Sequence, residues 1–89
     1  MDYKEILKEK AINLRSLLYT YRDKLSEEEF NSIKITIDNA LLSVDGRLDA
    51  LDYDVRNSAI MDWHDRLDNA ISSLDSRFSN KDDKMKEEK

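Results

Sequence analysis

The chain has 89 residues and a formal net charge of −5, with 39% charged and 39% apolar residues. This length allows one domain with a small core. Cysteine is absent, which excludes a disulfide framework and a thiolate metal site. No apolar run approaches the roughly 20 residues of a membrane span, and the opening segment MDYKEILKEK lacks the apolar core of a signal peptide. We therefore expect a soluble, cytoplasmic protein that does not enter membranes.

The first half of the chain predicts two helices. Proline is absent and glycine occurs once, so turn signals are scarce and long helices are favoured. The first helix is predicted over 3–24, where apolar side chains recur at steps of three and four residues at Leu7, Ala11, Leu14, Leu18, Tyr21 and Leu25. Ser26 and Glu29 form a capping-box pattern, which predicts that the second helix begins near Glu27.

An internal repeat defines the rest of the helical pattern. The segment 37–48, IDNALLSVDGRL, matches 67–78, LDNAISSLDSRF, at an offset of 30, with six identical positions and four exchanges between apolar residues. Gly46 corresponds to Ser76, which lies in an equally periodic stretch, so Gly46 is predicted inside a second helix over 27–51. Turn and capping residues predict a connection around 52–57 and a third helix over 57–78.

Three helices of similar length with short connections predict an all-α, antiparallel three-helix bundle of residues 1–78. The last segment, 79–89 (SNKDDKMKEEK), has one apolar residue and mixed charge. We expect it to be a flexible, disordered charged tail. A homodimer that completes a larger bundle is an open alternative to the monomer.

The acidic residues are unevenly distributed. Residues 1–37 hold seven acidic and seven basic side chains, whereas residues 38–75 hold nine acidic and three basic ones, a net charge of −6. The charged residues of 38–75 are all aspartate or arginine, although glutamate is the better helix former. The predicted second and third helices therefore carry nearly all of the excess negative charge.

Aspartates at helical spacing form a candidate binding surface. Those of the second helix fall within a strip about 60° wide, outside the apolar stripe, and the third helix repeats the pattern. The candidate residues are Asp38, Asp45, Asp49, Asp52, Asp65, Asp68 and Asp75. Two interpretations are open, namely a solvated outer face and a rigid acidic surface that docks on a basic, nucleic-acid-binding partner protein. Direct binding of DNA or RNA is not expected, because phosphate repels a negative chain without a basic stripe.

Several apolar residues lie outside the predicted core stripes. Ile35 and Leu42 flank the aspartates of the second helix, and Ile12 and Tyr19 take the corresponding position on the first. The members of each pair are seven residues apart, which gives a two-turn apolar seam rimmed by charge, as in many protein interfaces. A partner interface and a dimer interface are both open. Tyr53, in the predicted connection, is a further candidate contact residue or a cover for the end of the bundle.

The sequence contains no pattern that predicts catalysis, and no cofactor is expected. The single histidine, His64, has Asp68 one turn away, but no second histidine or cysteine completes a metal-ligand set. Neither a glycine-rich phosphate loop nor a nucleophile motif is present. Trp63 falls in the apolar stripe of the third helix and is expected to pack in the core. We therefore predict a non-enzymatic binding module.

Three functions fit this pattern. The first is an inhibitor that acts as a nucleic-acid mimic and occupies the basic channel of a nucleic-acid-handling machine. In size, acidity and lack of catalytic motifs the chain resembles counter-defence inhibitors carried by phages, such as anti-CRISPR proteins; this resemblance is one of type and transfers no residue role. The second is a structural homo-oligomerisation module built on the apolar seams. The third is an antitoxin or bacteriocin-immunity type of bundle, which binds a protein toxin.

Overall fold

The computed structural model describes residues 2–79, and within them the chain forms only helices and their connections. Helix α1 spans Tyr3–Thr20, α2 spans Glu27–Leu42 and α3 spans Tyr53–Leu74. Short 3-10 turns occur at Arg22–Lys24 and Leu48–Ala50, and π-helical turns extend α2 over Ser43–Arg47 and α3 over Asp75–Ser79. The predicted all-α bundle of three helices is confirmed. The predicted tail, 79–89, lies outside the described residues except for its first residue.

Helix α1 is the centre of the bundle. It packs extensively against both α2 and α3, whereas α2 and α3 contact each other much less. The α1 residues Leu7, Ala11, Leu14 and Leu18, predicted from their spacing, are at most 1% exposed. The core is completed by Phe30, Ile37, Ala40, Leu48, Leu67 and Leu74. Within residues 2–79, no helix combines the length and the apolar character that a bilayer crossing requires.

Aromatic contacts establish the relative directions of the helices. Tyr19, near the end of α1, packs edge-on against Phe30, near the start of α2, with ring centroids 5.4 Å apart. Tyr21, just after α1, packs against Phe78, just after α3, with ring centroids 4.8 Å apart. The end of α1 therefore lies beside the start of α2 and the end of α3, and α2 is antiparallel to both other helices.

The predicted capping box at the start of α2 is confirmed. Ser26 has an extended backbone, and its side-chain oxygen accepts a hydrogen bond from the backbone N–H of Glu29 at 3.1 Å. This bond satisfies one of the free N–H groups of the first helical turn. The preceding helix is shorter than predicted, because regular α-helix ends at Thr20 and the residues up to Lys24 form a 3-10 turn.

Gly46 was predicted inside a continuous second helix, which is wrong in detail, because the helical path is kinked at this residue. Its backbone angles are φ 167° and ψ −27°, outside the helical range, whereas Ser43 and Leu48 on either side remain helical. The wider π-helical turn and the kink still deliver Leu48 to the core, where it is 2% exposed. The predicted second helix, 27–51, is therefore a regular helix to Leu42 followed by two irregular turns.

Helix α3 begins at Tyr53, earlier than the predicted start at residue 57. Leu51 and Asp52 are extended and form the whole connection. The backbone carbonyl of Asp52 accepts a hydrogen bond from the N–H of Arg56 at 2.7 Å, which closes the first helical turn. The turn-forming residues 57 and 58 lie within α3, and their side chains are exposed to solvent.

Candidate functional site

The seven predicted aspartates are spread over α2, α3 and the segments that follow them. Asp38 lies in α2, and Asp45 and Asp49 lie in the turns after it. Asp52 is the N-cap residue of α3, and the three others follow in α3 and the turn after it. All are exposed except Asp75, which is half-buried. Exposure is expected both for a solvated outer face and for an acidic docking surface. The ion pairs within the bundle therefore determine which of these aspartates are available to a partner.

Asp49 is held by two side chains of α1. Its carboxylate accepts a hydrogen bond from the Tyr3 hydroxyl at 2.9 Å and another from the Lys4 ammonium group. The Lys4 hydrogen bond, followed by that of Tyr3, lowers the pKa of the Asp49 carboxyl below its ordinary value. The pKa of the Tyr3 hydroxyl is raised, mainly by burial and secondly by the hydrogen bond to the Asp49 carboxylate. Asp49 therefore connects α1 to the 3-10 turn after α2 through these two hydrogen bonds.

Asp68 is neutralised by Lys10 of α1. The Lys10 ammonium group donates to Oδ2 of Asp68 at 3.0 Å and lies 3.0 Å from Nδ1 of His64. Lys10 thus joins α1 to one face of α3.

The other candidates have no cationic partner among the described residues. Asp38, Asp45, Asp52, Asp65 and Asp75 form no salt bridge with any of residues 2–79. These carboxylates are therefore free to pair with cations of another molecule.

Two of the unpaired aspartates lie at a groove between the first turns of α1 and the last turns of α2. The groove has a volume of about 840 Å³ and is partly open to solvent. Its apolar lining residues, called the apolar floor below, are Leu41, Leu42 and Val44. Its acidic lining residues, called the acidic rim below, are Asp2, Glu5, Asp38 and Asp45, and Lys4 and Lys8 complete the lining. The groove therefore combines an apolar surface with an excess of negative charge.

The predicted apolar contact residues take three different positions. Leu42 is 47% exposed and belongs to the apolar floor. Ile35 is 59% exposed on the same helix but is not part of the groove lining. Tyr53 is 69% exposed, and it is the first residue of α3 rather than part of the connection, because Asp52 acts as the N-cap. The structure therefore brings Leu42, and neither of the other two, together with unpaired aspartates in one groove.

The apolar seam predicted on α1 is partly used within the bundle. Ile12 and Tyr19 are exposed and line a shallow depression along the helix. The Tyr19 ring nevertheless contacts Phe30, and the guanidinium group of Arg22 lies 4.6 Å from the centroid of the Phe30 ring. The Tyr19 end of this seam therefore helps to close the α1–α2 contact.

Sequence reasoning missed the contribution of α1 to the groove. Asp2, Glu5 and Lys8 were part of a segment that appeared charge-balanced and therefore uninformative. The antiparallel hairpin expected for the first two helices was the signal that could have found them, because it places residues 2–8 opposite residues 38–45. Two exposed apolar residues of α3, Val55 and Met61, were also missed.

The remaining chemistry of the described residues is limited. Trp63 is half-buried, packs against the core as predicted, and has the Arg66 guanidinium group 5.2 Å from its ring centroid. Residues 2–79 contain no group of three or more histidine, cysteine, aspartate or glutamate side chains arranged to hold a metal ion. No protein-family model, curated protein or solved structure matches the chain.

Proposed function

We propose that this chain is a non-enzymatic, acidic protein-binding module that docks on a basic, nucleic-acid-binding surface of another protein and inhibits it. The observation that carries the proposal is the set of five predicted aspartates without a cationic partner among residues 2–79. A stable fold does not require so many unpaired like charges, and their mutual repulsion opposes folding. A basic partner relieves this repulsion on binding.

The distribution of charge favours a protein partner over nucleic acid itself. Residues 38–75 carry a net charge of −6, so phosphate groups are repelled by α2 and α3. A basic surface is attracted over a distance of about 10 Å at 0.1 M salt and is guided towards α2 and α3. Aspartate side chains are short, so their charge is held close to a rigid helix, much as phosphates are held on a duplex.

The biological role that fits this activity is that of a nucleic-acid mimic of the counter-defence or anti-CRISPR type, acting in the cytoplasm. Size, acidity and the helical scaffold support this role by likeness of type only. The activity itself requires one thing of the partner, namely a basic surface that otherwise holds nucleic acid. Occupying that surface is sufficient for inhibition.

The test compares two double variants with the same change in net charge. Asp38→Lys with Asp45→Lys removes the unpaired aspartates at the groove, whereas Asp23→Lys with Glu28→Lys makes the equivalent change near the opposite end of α2. Wild type and both variants are immobilised and exposed to a host lysate. We expect wild type and the second variant to retain a nucleic-acid-binding protein that a 20-base-pair duplex displaces, and the first variant to lose it.

The proposal fails if the captured protein is not displaced by the duplex, or if both variants bind it equally. Circular dichroism of each variant verifies that the helices persist. Raising the salt concentration weakens the expected complex, because surface charge pairs are screened. A captured nuclease or pore-forming toxin that duplex DNA does not displace favours the antitoxin or immunity type of bundle instead.

The exposed apolar residues favour a second candidate function, a structural homo-oligomerisation module. Ile12, Tyr19, Ile35 and Leu42 are each between 40% and 59% exposed, and all lie on α1 and α2. Burying them against a second copy gives a dimer held by apolar contact. Light scattering coupled to size-exclusion chromatography separates the two functions: a dimer that persists in 1 M salt supports oligomerisation, whereas a monomer supports the inhibitor.

A further inference from the structure

We infer that the groove between α1 and α2 binds one amphipathic helix of the partner protein, with an aliphatic side chain on the apolar floor and lysine or arginine side chains against the acidic rim. This inference rests on the proposed function and names the element of the partner that the site recognises.

The geometry of the groove suits a helix. Its lining comes from α1 with the residue before it, from α2 and from the π-helical turn after α2, so two antiparallel helices form its walls. The α3 helix packs on another side of the α1–α2 pair. A partner helix laid between α1 and α2 therefore completes a four-helix arrangement, which is a common packing solution.

The spacing of the unpaired aspartates matches the repeat of a helix. Asp38 lies in α2 and Asp45 lies in the π-helical turn that follows it, seven residues further along the chain, which is about two helical turns. Lysine or arginine side chains at positions seven apart on a partner helix present the same spacing. An aliphatic side chain three or four positions from each cation then lies between them, over Leu42.

The charge of the groove selects a cationic partner. Four carboxylates and two ammonium groups line it. One ammonium group, that of Lys4, is already paired with Asp49, which leaves Lys8 as the sole lining cation without a salt bridge among the described residues. A second copy of this chain, with a net charge of −5, is disfavoured as the occupant by like-charge repulsion.

The apolar floor distinguishes this groove from a purely electrostatic surface. Leu42 is 47% exposed and lies one turn from both Asp38 and Asp45. Leu41 and Val44 beside it are half-buried. An apolar centre with a polar rim is the usual composition of a protein–protein interface. A cation without an apolar side chain leaves this floor exposed, so the groove favours an amphipathic helix over a polyamine.

The experiment uses the full chain and three synthetic probes at 150 mM salt. The first probe is a 15-residue helical peptide of leucine, alanine and lysine with leucines along one face and lysines beside them. The second has the same composition in scrambled order, and the third is spermine. Binding is measured by calorimetry, and its location by amide chemical shifts of isotopically labelled protein.

We expect the amphipathic peptide to bind at least about tenfold more tightly than the scrambled peptide or spermine, and to shift the amides of the groove. Leu42→Ser should weaken binding by about tenfold or more, whereas Ile35→Ser, an exposed apolar residue of α2 outside the groove, should change it less than about twofold. The double variant Asp38→Asn with Asp45→Asn should also weaken peptide binding. It tests the acidic rim without changing the apolar floor.

Equal affinity for the ordered and scrambled peptides, or equal binding by the Leu42→Ser and Ile35→Ser variants, overturns the inference. A spermine affinity as high as that of the amphipathic peptide overturns it as well, in favour of a simple cation site. This inference and the proposed function can fail independently. If the peptide binds in the groove but duplex DNA does not displace the captured partner, the groove is supported as a helix-binding site. The same result refutes the proposal that the partner's surface binds nucleic acid.

Discussion

The two copies of the internal repeat have similar sequences and different surroundings. In both, residues at the same repeat position are buried, Ile37 at 1% exposure and Leu67 at 0%, and in both a regular helix is followed by a π-helical turn. Their outer faces differ, because Asp38 is unpaired at the groove whereas its counterpart Asp68 is paired with Lys10. The repeat therefore preserves the core while the neighbouring helix determines which aspartates remain available.

Two other outward positions also differ between the copies. Leu42 of the first copy lies on the apolar floor of the groove, and its counterpart in the second copy is the polar Ser72. Conversely, Arg77 of the second copy pairs with Glu29, whereas Arg47 of the first copy forms no salt bridge within the described part of the chain. The first copy therefore contributes the groove, and two side chains of the second copy are ion-paired to the other helices.

The largest expected effect tests the shared part of the repeat. Ile37→Ala and Leu67→Ala should each lower the free energy of unfolding by about 2–5 kcal/mol, because each removes a fully buried aliphatic side chain and leaves a cavity. Urea unfolding followed by circular dichroism measures both. Leu42→Ala and Ser72→Ala are the exposed controls, with expected changes within about 0.5 kcal/mol. A loss below about 1 kcal/mol in one copy means that the two copies do not share the same core role.

The next effect tests the pairing that only the second copy makes. The Arg77 guanidinium group donates to both carboxylate oxygens of Glu29, at 2.9 and 3.2 Å. This hydrogen bond lowers the pKa of the Glu29 carboxyl below its ordinary value, and it outweighs burial, which acts in the opposite direction. Arg77→Ala should therefore lower the urea midpoint at pH 7, whereas the matched variant Arg47→Ala should not.

The pH dependence of that effect has a defined sign. A carboxyl with a lowered pKa in the folded state stabilises the fold above its unfolded pKa, and the stabilisation is lost as the pH falls through the folded pKa. The difference between wild type and Arg77→Ala should thus be full at neutral pH and shrink as the pH falls below the ordinary glutamate pKa of about 4.3. A difference that is constant from pH 7 to pH 3 contradicts the assigned ion pair.

A smaller effect separates the two equivalent aspartates. Asp68→Asn removes the ion pair with Lys10, which is partly exposed, and should cost about 0.2–1 kcal/mol in low salt. Asp38→Asn removes an unpaired charge and should leave stability unchanged or slightly raised. Urea unfolding at 50 mM and 1 M sodium chloride measures both, and the cost of Asp68→Asn should shrink at high salt. Equal costs for the two variants contradict the difference in pairing.

The smallest effect tests whether the kink in the first copy depends on glycine. Gly46→Ser introduces the residue that the second copy has at position 76, and an added Cβ meets no atom within 4 Å. We expect a change in unfolding free energy within about 0.5 kcal/mol. Thermal unfolding of the single variant measures it. A loss of more than about 1 kcal/mol means that the irregular turn requires the freedom of glycine.

The sequence was sufficient to predict what depends on position within one helix. The spacing of Leu7, Ala11, Leu14 and Leu18 predicted their burial, the repeat predicted the equivalent roles of residues 37 and 67, and the capping box predicted the start of α2. Each of these depends on the 3.6-residue helical period or on hydrogen bonds within one turn, which a local pattern encodes.

The sequence was insufficient where two helices meet. Whether Asp38 or Asp68 is neutralised depends on how α1 is rotated between its neighbours, and the balanced charge of α1 gave no indication of that rotation. The start of α3 was placed at 57 because turn-forming residues occur there, but tertiary contacts allow such residues inside an exposed helical turn. The candidate site could therefore be predicted as a list of aspartates and not as a groove.

The position of Asp2 at the rim of the groove has a practical consequence for the search for a partner. An affinity tag or fluorescent protein fused in front of this residue extends from the edge of the proposed binding surface and competes with an incoming helix for space. The described part of the chain instead ends next to Phe78, at the end of the bundle where α1 finishes, whereas the groove lies at the first turns of α1. Screens should therefore use carboxyl-terminal fusions, and a partner recovered with those but not with amino-terminal fusions points to this groove.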